Sequence, residues 1–344
     1  MNVDSPAGER AASKPVRGVY VAGVTAAISG VSVFVNSYGV RAVSSPAVYT
    51  TAKNLVAAMV LTVAMLAAWT ARSRRAGSMR ANFATPRETA NPHEPGAAAT
   101  ATRSLAGVGR WLGLAYVGVI GGGLAFVLFF NGLAQSEPAS AAFWRDTLVI
   151  WVAVLAVPIL RERVRWWNVA AVVCLMVGEV TLTGGVGRLS ANRGEMYVLA
   201  ATVLWAVEVV VAKHLLRSLS AATLSVVRMG VGAAALLAYL AATGSLGTLL
   251  TLNATQLGWA LWTGLLLGAY VATWMTALSR ANALDVTSVL VASALITWLL
   301  ELVAGTATAA GSSLGLVLIA LGALLVVGAS VLRVAPRGKL PVRS

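Results

Sequence analysis

Six ionisable side chains interrupt stretches of this sequence that are otherwise apolar enough to cross a bilayer: Lys53, Arg145, Asp146, Glu179, Glu208 and Arg228. A charge at the bilayer centre costs at least about 2.5–3.5 kcal/mol, so each requires a partner, a wet cavity or a function. Three are cationic and three anionic, so the set can be electrically neutral. The chemistry open to them is binding or gating of a charged polar solute, proton carriage by a carboxyl, and ion pairs that exchange as helices move. The competing assignment is structural: fixed pairs between helices, or end residues whose long stems reach the headgroups. Other chemistries lack their residues. There is no GxxxxGK[ST] phosphate loop, no HExxH and no CxxC; Cys174 is the single cysteine, and His93 and His214 are the two histidines. No cofactor, no metal and no enzymatic centre are therefore expected.

The elements that hold these residues are read from composition. Of 344 residues 58% are hydrophobic and 11% charged, against roughly 25% charged in soluble chains. Ten apolar stretches predict spans at 18–40, 46–69, 111–134, 138–160, 166–183, 195–215, 221–242, 256–278, 284–304 and 310–332. Residues 1–17 and 333–344 are polar tails, and 70–110 is one long loop whose Ala-, Pro- and Thr-rich middle predicts disorder. With both tails in the cytoplasm, 20 of the 26 Lys and Arg fall on inside segments and 3 on outside ones. That asymmetry fixes an even number of spans with both termini inside, and it accounts for the net charge of +14 without nucleic acid. The basic stretch Arg72–Arg80 has no interleaved aromatics and suits anionic lipid.

The chain also repeats. Lys53–Leu61 lies over Arg228–Leu236 at an offset of 175, which carries back to place Val35 on Val210. At an offset of 145, Gly113 meets Gly258, Gly123 meets Gly268 and Leu133 meets Leu278. Ala171 and Gly178 match Gly315 and Gly322, both pairs seven residues apart. The repeats are 18–183 and 195–332. Five spans in each make the second enter the membrane in the opposite sense, an arrangement that places substrates near the midplane between the halves. The fold class expected is all-α, ten transmembrane helices as two inverted five-helix repeats.

Over 18–332 this pattern resembles the drug/metabolite transporter superfamily, in particular its EamA-like branch. The stretch Val157-Pro-Ile-Leu-Arg-Glu-Arg-Val164 is similar to that family's apolar run ending in Gly-Glu-Arg, with Arg161 in place of the Gly and Glu162 as the acid. Lys53 and Arg228 occupy the basic position near the start of the second span of each half. Thr306 stands where the second half would carry its acid, and Val149 stands near a position usually held by Pro. The resemblance implies small-molecule transport, commonly export of metabolites, driven in many members by ion gradients.

Depth sorts the charges into two expected layers, an outer one of Lys53, Arg145 and Asp146 and an inner one of Glu208 and Arg228. Arg145 and Asp146, about 100° apart on a helix, cannot both face lipid and point to a cavity. Glu208 is the leading candidate for binding or for carrying a coupling proton. Trp144, Trp205, Asn36 and Asn131 complete the expected substrate site; Ser32, Tyr38, Thr276, Ser293, Phe126 and Trp274 are weaker candidates. Glu179 is expected to take an interhelical or interfacial role, while Asp285 and Glu301 are expected to be wet. The function expected is a multi-pass secondary transporter of the inner membrane, exporting an amino-acid-like or amphipathic metabolite by alternating access. A lipid-linked or sugar-carrier flippase, an enzyme on lipid phosphates and a non-transporting receptor are the alternatives. The expected partners are a small-molecule substrate and the lipid bilayer; a proton or other coupling ion and a second copy of the chain are open candidates.

Overall fold

A computed structural model of the chain describes residues 7–43, 45–82, 107–136, 138–162, 166–182, 192–306 and 313–332, and every element among them is helical. Helix α1 spans Ala7–Ala42 and α2 spans Pro46–Asn82. Helix α3, Gly107–Leu133, is π-helical between Tyr116 and Leu124. Helices α4 (Pro138–Asp146) and α5 (Leu148–Leu160) form one span broken at Thr147, and α6 (Trp166–Leu182) ends the first half. The second half is α7 (Arg193–Leu215), α8 (Ala221–Ala242), a short α9 (Leu246–Leu250) and α10 (Ala254–Arg280). It closes with α11 (Ala283–Val291), α12 (Ser293–Val303) and α13 (Ser313–Leu332).

Among the described residues eight stretches are long and apolar enough to cross a membrane; within α6 and α13, where the fifth and tenth spans were expected, the apolar segments Val169–Gly178 and Ser313–Gly322 are shorter. Helix α2 runs on to Asn82, so residues 70–82 of the expected loop are helical. The Ala- and Arg-rich sequence there has high helix propensity and continues an existing helix, which avoids the cost of nucleation. Residues 83–106, most of that loop, lie outside the described residues.

Local chemistry starts the later helices. Asn192 and Glu195 form a reciprocal capping box at the head of α7, Asn253 and Gln256 do the same for α10, and Ser220 accepts from the Thr223 amide before α8. Packing then follows the repeat. Helix α1 lies on α10 as its counterpart α7 lies on α3, and α2 lies on α10 as α8 lies on α3. Helix α1 also packs on α11 and α12, and α7 on α4 and α5, while α2 meets α8 and α6 meets α13.

Two features of this packing bear on the site. At the α3–α8 crossing, a Cβ on Gly122 would strike the backbone of Arg228 and Gly232, and one on Gly232 would strike the backbone of Gly122. Gly232→Leu is therefore expected to lower the unfolding free energy by about 1–3 kcal/mol through overpacking. Gly230→Ala, which meets open space, is expected to hold or raise it by replacing a mid-helix glycine. Thermal unfolding of both variants in detergent checks the contrast.

The second feature is a pair of helix breaks. Thr147 (φ −59°, ψ −9°) and Ala292 (φ −59°, ψ −12°) share nearly one conformation and lie 145 residues apart, the offset of the third and eighth spans. Each makes a single tight turn: the Ile150 amide donates to the Thr147 carbonyl (2.9 Å), and the Leu295 amide donates to the Ala292 carbonyl (3.2 Å).

Candidate functional site

Between the halves lies a cavity of about 570 Å³, a volume suited to a small molecule. It runs from a mouth at Arg41, Pro46 and Ser136, where α1 meets α2 and α3 meets α4, down to Glu208, Arg228 and Trp274.

Charge is placed on its wall by five helices, with Arg41 of α1 at the mouth and the rest deeper in. Glu208 on α7 and Arg228 on α8 form a two-toothed ion pair, Nε to Oε1 at 2.5 Å and Nη2 to Oε2 at 3.0 Å, with both residues buried. Their closeness depends on α3: a Cβ on Gly121 would occupy the space of the Glu208 carboxylate. The Gly121 carbonyl is reached from two sides, by Arg228 Nη2 (3.4 Å) and by the Trp205 indole N–H (3.0 Å). Gly121 lies in the π-helical segment of α3, where widened hydrogen bonding leaves backbone carbonyls available to neighbours.

Arg145 and Asp146 sit immediately before the break at Thr147. Arg145 Nε donates to Asp146 Oδ1 at 2.8 Å, and Nη2 lies 2.6 Å from the same oxygen. Oδ2 of Asp146 is buried without a hydrogen-bond partner, an expensive arrangement that a donor from a ligand or water relieves. At the symmetry-related break the same positions carry Leu290 and Val291, which also line the cavity. The charged pair therefore belongs to one half alone.

Lys53 on α2 is buried. Its Nζ donates to Asn36 Oδ1 (3.0 Å), which also accepts from the Tyr49 hydroxyl (2.7 Å). The Asn36 amide is turned by bonds to the Ser32 carbonyl (2.7 Å) and hydroxyl (3.0 Å), so that its oxygen faces Lys53. The ammonium lies 4.2 Å from the centre of the Phe130 ring, a cation–π contact. Aromatic rings complete the wall: Phe126 and Phe129 lie 5.4 and 5.3 Å from Trp205, and Tyr270 stacks on Trp274 at 6.0 Å. The Tyr270 phenol is in electrostatic reach of Arg228, Arg145, Glu208 and Asp146 together.

Seven of the nine expected site residues line this one cavity: Asn36, Lys53, Arg145, Asp146, Trp205, Glu208 and Arg228. The two expected layers thus open onto a single space. Asn131 and Trp144 fall outside the lining; Asn131 donates to the Val127 carbonyl of its own helix (2.8 Å), and Trp144 meets Phe143 edge-on at 5.7 Å. Of the weaker candidates, Ser32, Phe126 and Trp274 line the cavity, whereas Tyr38, Thr276 and Ser293 do not. The side chain of Glu179 lies outside the described residues. Tyr270, Phe129, Phe130 and Arg41 line the cavity although the sequence reading did not place them there. One signal for them was available: Phe129 and Trp274, both on the wall, are themselves 145 residues apart.

The end of the bundle opposite the mouth is clasped. Lys213 Nζ donates to the Leu278 and Ala281 carbonyls (2.6 and 2.5 Å) at the end of α10, and the Glu162 carboxylate accepts from the Ala283 and Leu284 amides (2.8 and 3.2 Å) at the start of α11. Cation on carbonyls and anion on amides are the favourable senses for helix ends. Asp285 was expected to be wet, but it is buried and within electrostatic reach of Lys213, because the first turn of α11 is drawn into this clasp.

The fold and site together define a multi-pass membrane protein with a charged, aromatic-walled cavity between two related halves. The EamA-like transporter family model matches residues 95–184 and again 192–328, and the chain belongs to that family. A solved crystal structure of a protein, 17% identical in sequence, superposes with a TM-score of 0.62 over 89% of this chain and 97% of that one; at that identity the likeness is one of fold. No curated protein matches the sequence.

Proposed function

We propose that the protein is a ten-helix, inverted-repeat secondary transporter of the inner membrane that exports a small amino-acid-like or amphipathic metabolite by alternating access. One observation carries this reading: a cavity lined with buried charges reaches the exposed Arg41 at one end of the bundle, while at the other end Lys213 and Glu162 bond the junction between α10 and α11. A cytoplasmic N-terminus, as the distribution of Lys and Arg requires, makes the mouth outward-facing and the clasp inward-facing. The mirrored packing of the halves supports a rocking motion that exchanges the two ends. The matched breaks at Thr147 and Ala292 supply the discontinuous helices on which such sites are built. Glu208 and Asp146 are the carboxyls placed to carry a coupling proton.

The test works without naming a substrate. Protein is reconstituted into liposomes loaded with a polar metabolite extract, and efflux is followed by mass spectrometry with and without a pH gradient. Selective loss of a few compounds from wild-type vesicles, dependent on the gradient, is the expected result. No selective efflux from folded protein would overturn the reading. Unchanged pH dependence in Glu208→Gln would remove that carboxyl as the proton carrier.

A further inference from the structure

The charges on the cavity wall do not balance, and the imbalance has a location. The lining holds four cations, Arg41, Lys53, Arg145 and Arg228, and two anions, Asp146 and Glu208. Both anions are engaged, Asp146 with Arg145 and Glu208 with Arg228. Among the described residues no carboxylate pairs with Lys53 or Arg41. Arg41 is exposed at the mouth, where an unpaired cation draws anions inward. Lys53 is 3% exposed, and among the described residues its ammonium meets the neutral oxygen of Asn36 and the faces of Phe130 and Tyr49. An ammonium has three donors, and one hydrogen bond plus two ring faces is thin compensation for burying a full charge.

The repeat shows what is missing. Arg228 is the counterpart of Lys53, and its carboxylate partner Glu208 lies at the offset of 175 from Val33. Val33 lines the same cavity, one helical turn from Asn36. One half therefore builds its cation with a partner, and the other builds the same cation with a valine where the partner would stand. Lys53 itself lines the cavity, so its ammonium is open to an anion that enters there.

Resting on the transporter reading above, we propose that Lys53 is the anion-binding point of the cavity, and that the substrate is an organic acid whose carboxylate meets Lys53. The apolar or aromatic body of such an acid lies among Phe129, Phe130, Tyr270 and Trp274. Asn36 is a positioning residue, since its oxygen aims the ammonium. While Glu208 is ionised, its pair with Arg228 is self-neutralised and contributes shape and polarity rather than net charge.

The experiment reads equilibrium binding, independent of transport. Purified full-length protein in detergent, at constant chloride, is titrated with 3-phenylpropionate, with its neutral amide and with 3-phenylpropylamine, following quenching of protein tryptophan fluorescence. Wild type is expected to bind the carboxylate about tenfold more tightly than the amide or better, the effect of one charge-assisted contact, and the amine more weakly still. Lys53→Met is expected to erase that preference, and Lys53→Arg to keep it. Val33→Glu, which supplies the carboxylate that the other half already has, is expected to erase it with the lysine still in place. Each variant is first shown to be monodisperse with wild-type helix content, and Val33→Glu keeps the test open if Lys53→Met does not fold. Equal or tighter binding of the amide or amine, an anion preference surviving both Lys53→Met and Val33→Glu, or no binding of any probe would each overturn the proposal. Efflux from liposomes judges the transporter reading separately: binding without efflux removes the transporter and keeps the anion site, and efflux without anion binding does the reverse.

Discussion

Glu208→Gln is expected to abolish transport and to destabilise the protein by about 3–5 kcal/mol, the loss characteristic of breaking a buried ion pair from one side. The carboxylate is the only anionic partner of Arg228 among the described residues, and it holds the guanidinium through two bonds. Without that charge, Arg228 keeps a 3.4 Å bond to the Gly121 carbonyl, a 3.5 Å contact to the Met229 sulfur and the face of Phe126. A full positive charge is then left in a site with 6% exposure. The pair itself need not be a net source of stability, since the desolvation of two ions offsets much of their attraction. Removing both charges with Glu208→Leu and Arg228→Met together is therefore expected to return most of the lost stability while leaving transport absent. Thermal unfolding in detergent and liposome efflux, measured on the single and double variants, separate the two effects. Wild-type efflux from the double variant would show that the pair only holds α7 to α8.

The charges that build this site were legible because their cost in a bilayer singles them out, and the offset of 175 already placed Lys53 opposite Arg228. What the sequence did not disclose is how α4–α5 and α11–α12 break. Neither Thr147 nor Ala292 is a residue that announces a break, and neither break contains Gly or Pro. At the first break the Thr147 hydroxyl donates back to the Trp144 carbonyl (2.6 Å), a local bond that bends helices, and at both breaks the span packs on a matching partner, α4 and α5 on α7, α11 and α12 on α1. The π-helical turn of α3 is hidden for a similar reason: nothing in the three consecutive glycines, Gly121, Gly122 and Gly123, specifies it, and only the approach of α7 and α8 shows that a carbonyl is reached there. Asn131 and Trp144 lie at the right depth, but depth along a span does not say which side of the helix faces the cavity. The capping boxes at Asn192 and Asn253 are purely local, and both helices start two residues before the expected position.

The second large effect is expected at the clasp, where Lys213→Met should open the inward end. Lys213 holds the last carbonyls of α10 and Glu162 holds the first amides of α11, so the two side chains fix both sides of the short junction at Ala281 and Asn282. Glu162 follows α5, in the first half of the chain, and so ties the two halves together at this end. The offset of 175 pairs Lys213 with Tyr38, and the second half carries Thr306 where the acid corresponding to Glu162 would stand. Tyr38 is exposed and stacks on Trp259 at 6.4 Å, and the Thr306 hydroxyl bonds to the Glu301 carbonyl (3.3 Å). The symmetry-related end thus has no charged clasp among the described residues, and that end carries the mouth of the cavity. On the transport cycle proposed above, the expected resting state is outward-open, because among the described residues the charged hydrogen bonds that tie the two halves at a helix junction are those of the clasp. Such bonds contribute about 1.5–3 kcal/mol each, and about 1.4 kcal/mol is tenfold in a population. Lys213→Met is expected to raise the inward-open population by about tenfold or more. Glu162→Gln, which keeps one acceptor oxygen, should act in the same direction but less. A cysteine at Ala283, buried beneath the clasp, reports the change in a Cys174→Ser background through its rate of reaction with a water-soluble maleimide. An unchanged rate in both variants would mean that the junction is held shut by packing, with Gly18 against Ala281 the nearest such contact, and that the asymmetry between the two ends has another origin.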